Sequence, residues 1–378
     1  MGEKMDVLQI AKDLINTKFY QGMDNTELVN LLCSYFSEAK EIVTIKDRNG
    51  LTNLLIGLNC NLENLDDAIM LSGHMDTVKP GEGWETDSLI DGDKLYGLGS
   101  TDMKSFFASV IINLHELKNL DVPIFLGITA DEETFGEGIK VLTDEMKKRN
   151  INPKYALIGE PTENTVITSN RGNYVYIISL TGKECHSMKP ENGINALYAA
   201  SHVINHIEQL SEYYSDCASL NPIIVEGGKM PNQICGNCLM KLSIRTASLE
   251  VHDKIKESID TKLEEIAERY KLPNFVFEKV FELSAFEKRD SDINNMLCNF
   301  LNSDEGEYLA CTEAGELQKY GIPNISIIGP GNLNLAHKQN EYCSVSQLKY
   351  YSEKLPDMLK EASKKLETPK NVEGGVKR

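Results

Sequence analysis

The chain has 378 residues, of which 41% are hydrophobic and 25% charged, with a formal net charge of −18. That length holds two domains with sizeable cores, and the composition is that of a soluble globular protein. The negative balance argues against nucleic acid or an anionic membrane as the main partner, because both reward basic surfaces. We read most of it as solvated helix faces, such as Glu264-Glu265 and Glu305–Glu307. The amino-terminal Met-Gly-Glu-Lys-Met-Asp has no apolar stretch, and no long uninterrupted apolar run occurs, so neither a signal peptide nor a membrane span is expected, and a cytoplasmic location is. Nine cysteines, odd in number and scattered, suit a reducing compartment. Cys235-Gly-Asn-Cys238 has the spacing of a redox pair or half a zinc knuckle, but no second pair lies near, so a structural role is expected.

Residues 6–47 predict two amphipathic helices and a strand. Val7, Ile10, Ala11, Leu14 and Ile15 recur at helical spacing, and Thr26–Cys33 repeats the pattern. Asn53–Leu58 and Ala68–Leu71 predict paired strands around the polar turn Asn61–Asp67. A glycine-rich loop, Pro80–Trp84, follows, and Asp91-Gly92-Asp93 marks a hairpin. Gly99-Ser-Thr-Asp102-Met103-Lys104 leads into a long apolar helix, Ser105–Leu117. Pro123–Thr129 predicts a buried strand that ends at Ala130-Asp131-Glu132-Glu133, with a turn and a helix to Arg149 beyond. Tyr155–Ile158 is the next strand, ending at Gly159-Glu160-Pro161-Thr162. This alternation predicts an α/β domain, a mixed sheet with helices on both faces.

The character changes after Asn170. Strand Tyr174–Gly182, helix Asn195–Gln209, strands Pro222–Glu226 and Leu239–Arg245, helix His252–Tyr270 and strand Phe275–Phe281 follow. That order is the split β-α-β pattern of a ferredoxin-like α+β sandwich. We place it as an inserted domain at 171–284, between 1–170 and 285–378 of a discontinuous catalytic domain. The last part resumes the alternation with helix Ile293–Leu301, strand Ile325–Ile328 and helix Ser346–Lys365, and the tail from Glu367 is expected to be disordered.

The strong polar signals cluster at the carboxyl ends of predicted strands or just after them, where sites form in open α/β sheets. In Ser72-Gly-His74-Met-Asp76, residues i and i+2 of an extended segment point to one side, so the histidine and the carboxylate can share a pocket. Asp102, Glu132, Glu133 and Glu160 follow, and Gly329-Pro-Gly…Ala-His337 closes the series. Each alone is usually a solvated turn or a structural residue. Together, two histidines and several carboxylates are an inventory for two divalent cations, and no cysteine is placed to add a thiolate. His202 and His206 stand four apart on a helix without the glutamate of a zincin, so we read them as helix-face residues, His115 likewise, and His252 as exposed. No Gly-x-Ser-x-Gly elbow supports a serine hydrolase.

The motifs jointly resemble the co-catalytic metallo-aminoacylase and carboxypeptidase family, and within it the acetylornithine deacetylase branch. They are Ser-Gly-His74-Met-Asp76-Thr-Val, Gly-Ser-Thr-Asp102-Met-Lys, Ala-Asp-Glu132-Glu133-Thr, Ile-Gly-Glu160-Pro-Thr, Cys-His186-Ser, Met-Pro-Asn232-Gln-Ile, Ile-Arg245, Cys-Thr-Glu313-Ala and Gly-Pro-Gly…Ala-His337. The resemblance implies two divalent metal ions, zinc first with cobalt or manganese as alternatives. Asp102 would bridge them, with a cis bond to Met103; His74 and Glu160 would hold one and Glu133 and His337 the other. Asp76 would accept the far N–H of His74 and fix its tautomer. Glu132 would be the general base. His186, supplied across a homodimer formed by the inserted domain, would stabilise the oxyanion, and Asn232 and Arg245 would hold the substrate's carbonyl and α-carboxylate. Cys185 departs from the family's usual glycine. The implied activity is deacylation of an N-acyl-L-amino acid, N2-acetyl-L-ornithine to ornithine and acetate, a step of arginine biosynthesis. Cys311-Thr-Glu313-Ala favours that substrate over succinyl-diaminopimelate, because the resembled desuccinylases carry a Gly-Gly-Thr-Ser-type segment there, and Glu313 offers a carboxylate to the δ-amine of ornithine. A related aminoacylase, a desuccinylase or a dipeptidase remains the alternative, and a non-catalytic metal-binding protein the remote one.

Overall fold

The computed structural model describes residues 6–367. The tail expected to be disordered lies outside them, except Glu367, the last residue of the helix Val345–Glu367. The described chain divides into two compact units. One runs to Thr168 and takes up Lys288–Glu307 and the chain from Glu316; the other is Ser169–Glu287 with Tyr308–Gly315. Among the described residues no helix is long and apolar enough to cross a membrane.

The first unit is built on an eight-stranded mixed sheet. Its strands lie in the order Glu41–Lys46, Thr52–Gly57, Ile124–Thr129, Ile69–His74, Tyr155–Ile158, Asn324–Ile327, Val166–Asn170 and Glu305–Tyr308. Ile69–His74 runs parallel to both of its neighbours, and every residue of it and of Ile124–Thr129 is buried. Such strands read as continuous apolar runs because both faces are covered. The helix Gly138–Lys148 packs on one end of the sheet. The helix Ser105–Ile112 joins the core through Phe106, Phe107 and Val110, together with Tyr351, Leu355 and Leu359 of the last helix.

Three expectations are corrected here. Thr52–Gly57 and Ile69–His74 are not paired; Ile124–Thr129 lies between them, antiparallel to the first and parallel to the second. Fully buried runs carry no alternation to mark a partner, and the link over 58–68 is long enough to pass a strand. The apolar helix breaks at Asn113, whose side chain donates to the Ser109 and Ser352 carbonyls, and restarts as Leu114–Lys118. Glu305–Glu307 belongs to a strand, not to a helix face.

The second unit is the ferredoxin-like sandwich. Strands Ala218–Gly227, Asn237–Thr246, Gly172–Thr181 and Asn274–Leu283 lie in that order, every neighbouring pair antiparallel. Gly172–Thr181 alternates buried and half-buried residues along its length, the pattern of a sheet with one covered face. The helices Ala196–Tyr213 and Leu249–Tyr270 cover that face with Val203, Ile207, Ile255, Ile259 and Leu263. Asn195 and Ser248 cap them by accepting the Leu197 and Val251 N–H groups. Tyr308–Gly315, placed by sequence in the catalytic part, belongs to this unit. Arg171 N–H donates to the Tyr308 carbonyl at 3.2 Å, and the Thr312 hydroxyl donates to the Asn170 side chain at 3.0 Å. His252 is buried rather than exposed: its ring stacks on Tyr174 with centroids 3.8 Å apart, and Nε2 lies 2.8 Å from the Tyr176 hydroxyl.

Candidate metal centre

The Ile69–His74 strand delivers His74 to the carboxyl edge of the sheet. Gly73 is set by packing, since a Cβ there would come 2.3 Å from Met103 Cε. Met103 therefore closes over the strand end, its sulfur accepting the His74 N–H at 3.3 Å, and Asp102 arrives beside the imidazole. The Asp102–Met103 bond is cis, as the resemblance implies. Asp102 Oδ1 lies 3.1 Å from His74 Nε2, and Oδ2 lies 3.3 Å from His337 Nε2. His337 Nε2 is also 2.7 Å from Glu133 Oε1, and His74 Nε2 is 3.8 Å from Glu160 Oε1. One carboxylate thus faces both histidines, and each histidine has a further carboxylate beside it.

Asp76 stands beside His74 and also holds the neighbouring turn. His74 Nδ1 lies 3.0 Å from the Asp76 backbone carbonyl and 3.5 Å from its carboxylate. The carbonyl can only accept, so Nδ1 carries a proton toward Asp76. The Asp76 carboxylate also accepts the N–H groups of Glu132 (3.2 Å) and Glu133 (3.1 Å), fixing the turn that carries both.

Two residues not singled out by sequence support the cluster. Asp131 accepts the N–H groups of Glu137 and Gly138 at 3.0 and 2.6 Å, anchoring the far side of the same turn. Burial pushes its pKa up to about 6. Glu341, also buried, accepts the N–H groups of Thr101 (2.9 Å) and Asp102 (3.2 Å). Asp131 is hidden in the acidic triplet that Glu132 and Glu133 complete, and Glu341 sits in a polar loop.

The charges identify what the cluster is suited to hold. Burial, with the adjacent Glu133, Glu160 and Asp102 carboxylates, pushes Glu132 well above the ordinary carboxylate range. Burial also raises Glu133. Hydrogen bonds to Asp102 and Glu133 push His337 up to about 11. So many acids gathered around two imidazoles favour any cation they can share. Among the described residues, His74, Asp102 and Glu133 offer ligand atoms within 4.8 Å of one another. Imidazole nitrogens and carboxylate oxygens at this spacing suit a borderline divalent ion. Glu160 and His337 extend the set toward a second ion.

The remaining candidates lie in the second unit. His186 pairs in an extended bridge with Gln233, and Ser187 N–H donates to the Asn232 carbonyl at 2.9 Å, so His186 and Asn232 sit on adjoining segments. Met188 N–H donates to His186 Nδ1 at 3.1 Å, which leaves the ring proton on the exposed Nε2. Arg245 is half-buried on Asn237–Thr246, opposite Asn173 and Ser219. Glu313 is buried, next to Thr312. His206 Nε2 is engaged with the Ser258 hydroxyl at 3.0 Å, and the His202 ring lies against Tyr270. Cys235 and Cys238 are free thiols buried in the core of this unit.

Residues 70–361 match the model of Peptidase family M20/M25/M40. The chain is 31% identical over 356 residues to the acetylornithine deacetylase of Buchnera aphidicola from Schizaphis graminum, covering 89% of this chain and 90% of that protein. It is 30% identical over 365 residues to the acetylornithine deacetylase of Photorhabdus laumondii, covering 90% and 92%. Among solved structures, an aminopeptidase of Bacillus cereus superposes with a TM-score of 0.76 at 20% identity, covering 94% of this chain and 98% of that one. A dinuclear metal-binding peptidase of Bacillus subtilis superposes with a TM-score of 0.70 at 14% identity, covering 95% and 98%.

Proposed function

The chain belongs to Peptidase family M20/M25/M40, and from that premise we propose that it removes the acyl group from N-acyl-L-amino acids, with N2-acetyl-L-ornithine as its substrate. The observation that carries the reading is Asp102 standing between His74 and His337, each with its own carboxylate. The relatives called acetylornithine deacetylase support the substrate.

His74 and Glu160 would hold one divalent cation, Glu133 and His337 the other, and Asp102 both, with zinc the first choice. Bound there, the cations supply Lewis acidity, polarising the scissile carbonyl and acidifying a water. Glu132 takes the proton from the attacking water and hands it to the leaving nitrogen. The turn fixed by Asp76 and Asp131 aims Glu132 and Glu133 as a pair. His186 Nε2–H is a donor for the developing oxyanion, and Asn232 and Arg245 bind the substrate's carbonyl and α-carboxylate. Acetate and free L-ornithine leave. A homodimer through the inserted domain brings His186 to the partner's centre. The edge strand Ala218–Gly227, with Ile223, Ile224 and Val225 exposed, is our choice of contact.

The test is turnover by zinc-loaded protein of acetylornithine, acetylmethionine, succinyl-diaminopimelate and a dipeptide. Acetylornithine is expected to give the highest kcat/KM. A clear preference for another member would replace the substrate and keep the family chemistry; no turnover of any would overturn the hydrolase reading.

A further inference from the structure

The loop that delivers His337 is fastened to the turn that delivers Asp102 on both sides of the histidine. Before it, Asn332 N–H donates to Thr101 Oγ1 at 2.9 Å, and Gly331 lies so close that a Cβ would stand 2.2 Å from that oxygen. After it, Glu341 Oε1 receives the N–H groups of Thr101 and Asp102, and the Glu341 carbonyl receives the Gly97 N–H at 3.1 Å. Tyr342–Ser344 then pairs antiparallel with Lys94–Tyr96, which leads into the Asp102 turn. Glu341 is 4% exposed and Asp102 is 6% exposed. A buried carboxylate placed against two backbone donors has little freedom, so it transmits the position of one segment to the other.

We propose that Glu341 is a positioning residue that sets Asp102 and His337 in register, and that the cation held by Glu133 and His337 depends on it more than the cation held by His74 and Glu160. The inference rests on reading the cluster as a two-metal centre. The asymmetry follows from the chain: His74 ends one strand of the central sheet and Glu160 stands two residues after another, whereas His337 comes from a longer loop and has Glu341 as a tie to the bridging residue.

The experiment is a calorimetric titration of metal-free, full-length protein with zinc ions. The unaltered protein, Glu341→Asp and Glu341→Gln are compared. Asp keeps the charge but withdraws the oxygen by one methylene; Gln keeps the reach and an acceptor oxygen. We expect Glu341→Asp to weaken the second zinc by about 10-fold or more while the first is unchanged, the scale on which residues that orient ligands act. Glu341→Gln is expected to stay within about threefold for both ions, well below that scale. A loss confined to one of two ions is not what general destabilisation would produce. The inference is overturned if Glu341→Asp binds both ions as the unaltered protein does, if both ions weaken together, or if Glu341→Gln weakens the second ion as much as Glu341→Asp. An unaltered protein that takes up fewer than two zinc ions would overturn the two-metal reading itself.

Discussion

Glu132 is the residue to which the proposed chemistry gives the proton transfer. Burial and three nearby carboxylates hold its proton more tightly than in water. Glu132→Ala is expected to leave zinc stoichiometry unchanged and to lower kcat by about 10²–10⁴-fold, the range for a general base. Near-normal turnover in that variant would remove Glu132 from the role. His252 carries a prediction in pH. Burial lowers its pKa from the ordinary value, against the pull of Asp253. The unfolded chain takes up this proton near about 6.5 and the folded chain only at lower pH. Below that value the unfolded state holds more protons, so stability is lost as pH falls. Between about pH 7 and about pH 5, urea unfolding should show a steeper loss in the unaltered protein than in His252→Gln. Equal slopes would show that this ring does not carry the effect. The sequence locates the ligand candidates because each follows an apolar run, but it does not give their partners. Asp76 lies beside His74, its backbone carbonyl nearer to Nδ1 than its carboxylate, and the carboxylate also receives the N–H groups of Glu132 and Glu133. Spacing of i and i+2 gives a shared side, not which atom points where.

At the scale of elements, a glycine in the motifs is explained by its neighbours. A Cβ on Gly159 would stand 2.0 Å from Phe106 Cγ, so the helix Ser105–Ile112 packs directly on the strand end that carries Glu160. Gly159→Ala is expected to cost about 1–3 kcal/mol, the range for overpacking a close-packed core. Urea unfolding measures it, and an unchanged midpoint would show that the helix has room to move. The helices and strands themselves are readable in the sequence, since Val7, Ile10, Ala11 and Leu14 make the buried face of Val7–Asn16 that their spacing predicts. Pairing is not readable in the same way. Thr52–Gly57 chooses Ile124–Thr129, a strand far along the chain, and two fully buried runs look alike from inside the sequence.

For the whole molecule, the split β-α-β order is enough to predict the ferredoxin-like unit, because its half-exposed strands alternate and its two helices are amphipathic. The return of Tyr308–Gly315 to that unit leaves no such trace, as hydrogen bonds such as those to Asn170 and from Arg171 follow from no residue pattern. The exposed edge Ala218–Gly227 carries the prediction for assembly. Ile224→Lys should shift sedimentation from dimer toward monomer, because a lysine at an edge blocks strand addition. An unaltered protein that is already monomeric would remove the dimer.

The strand Asn324–Ile327 lies inside the large sheet, parallel to Tyr155–Ile158 on one side and antiparallel to Val166–Asn170 on the other. The two strands it separates are made more than 150 residues earlier. During synthesis the amino-terminal strands therefore wait with an open slot, and the inserted unit leaves the ribosome before the slot can close. His337 follows that strand in the chain, so the sheet can close before the chain holds every residue of the cluster.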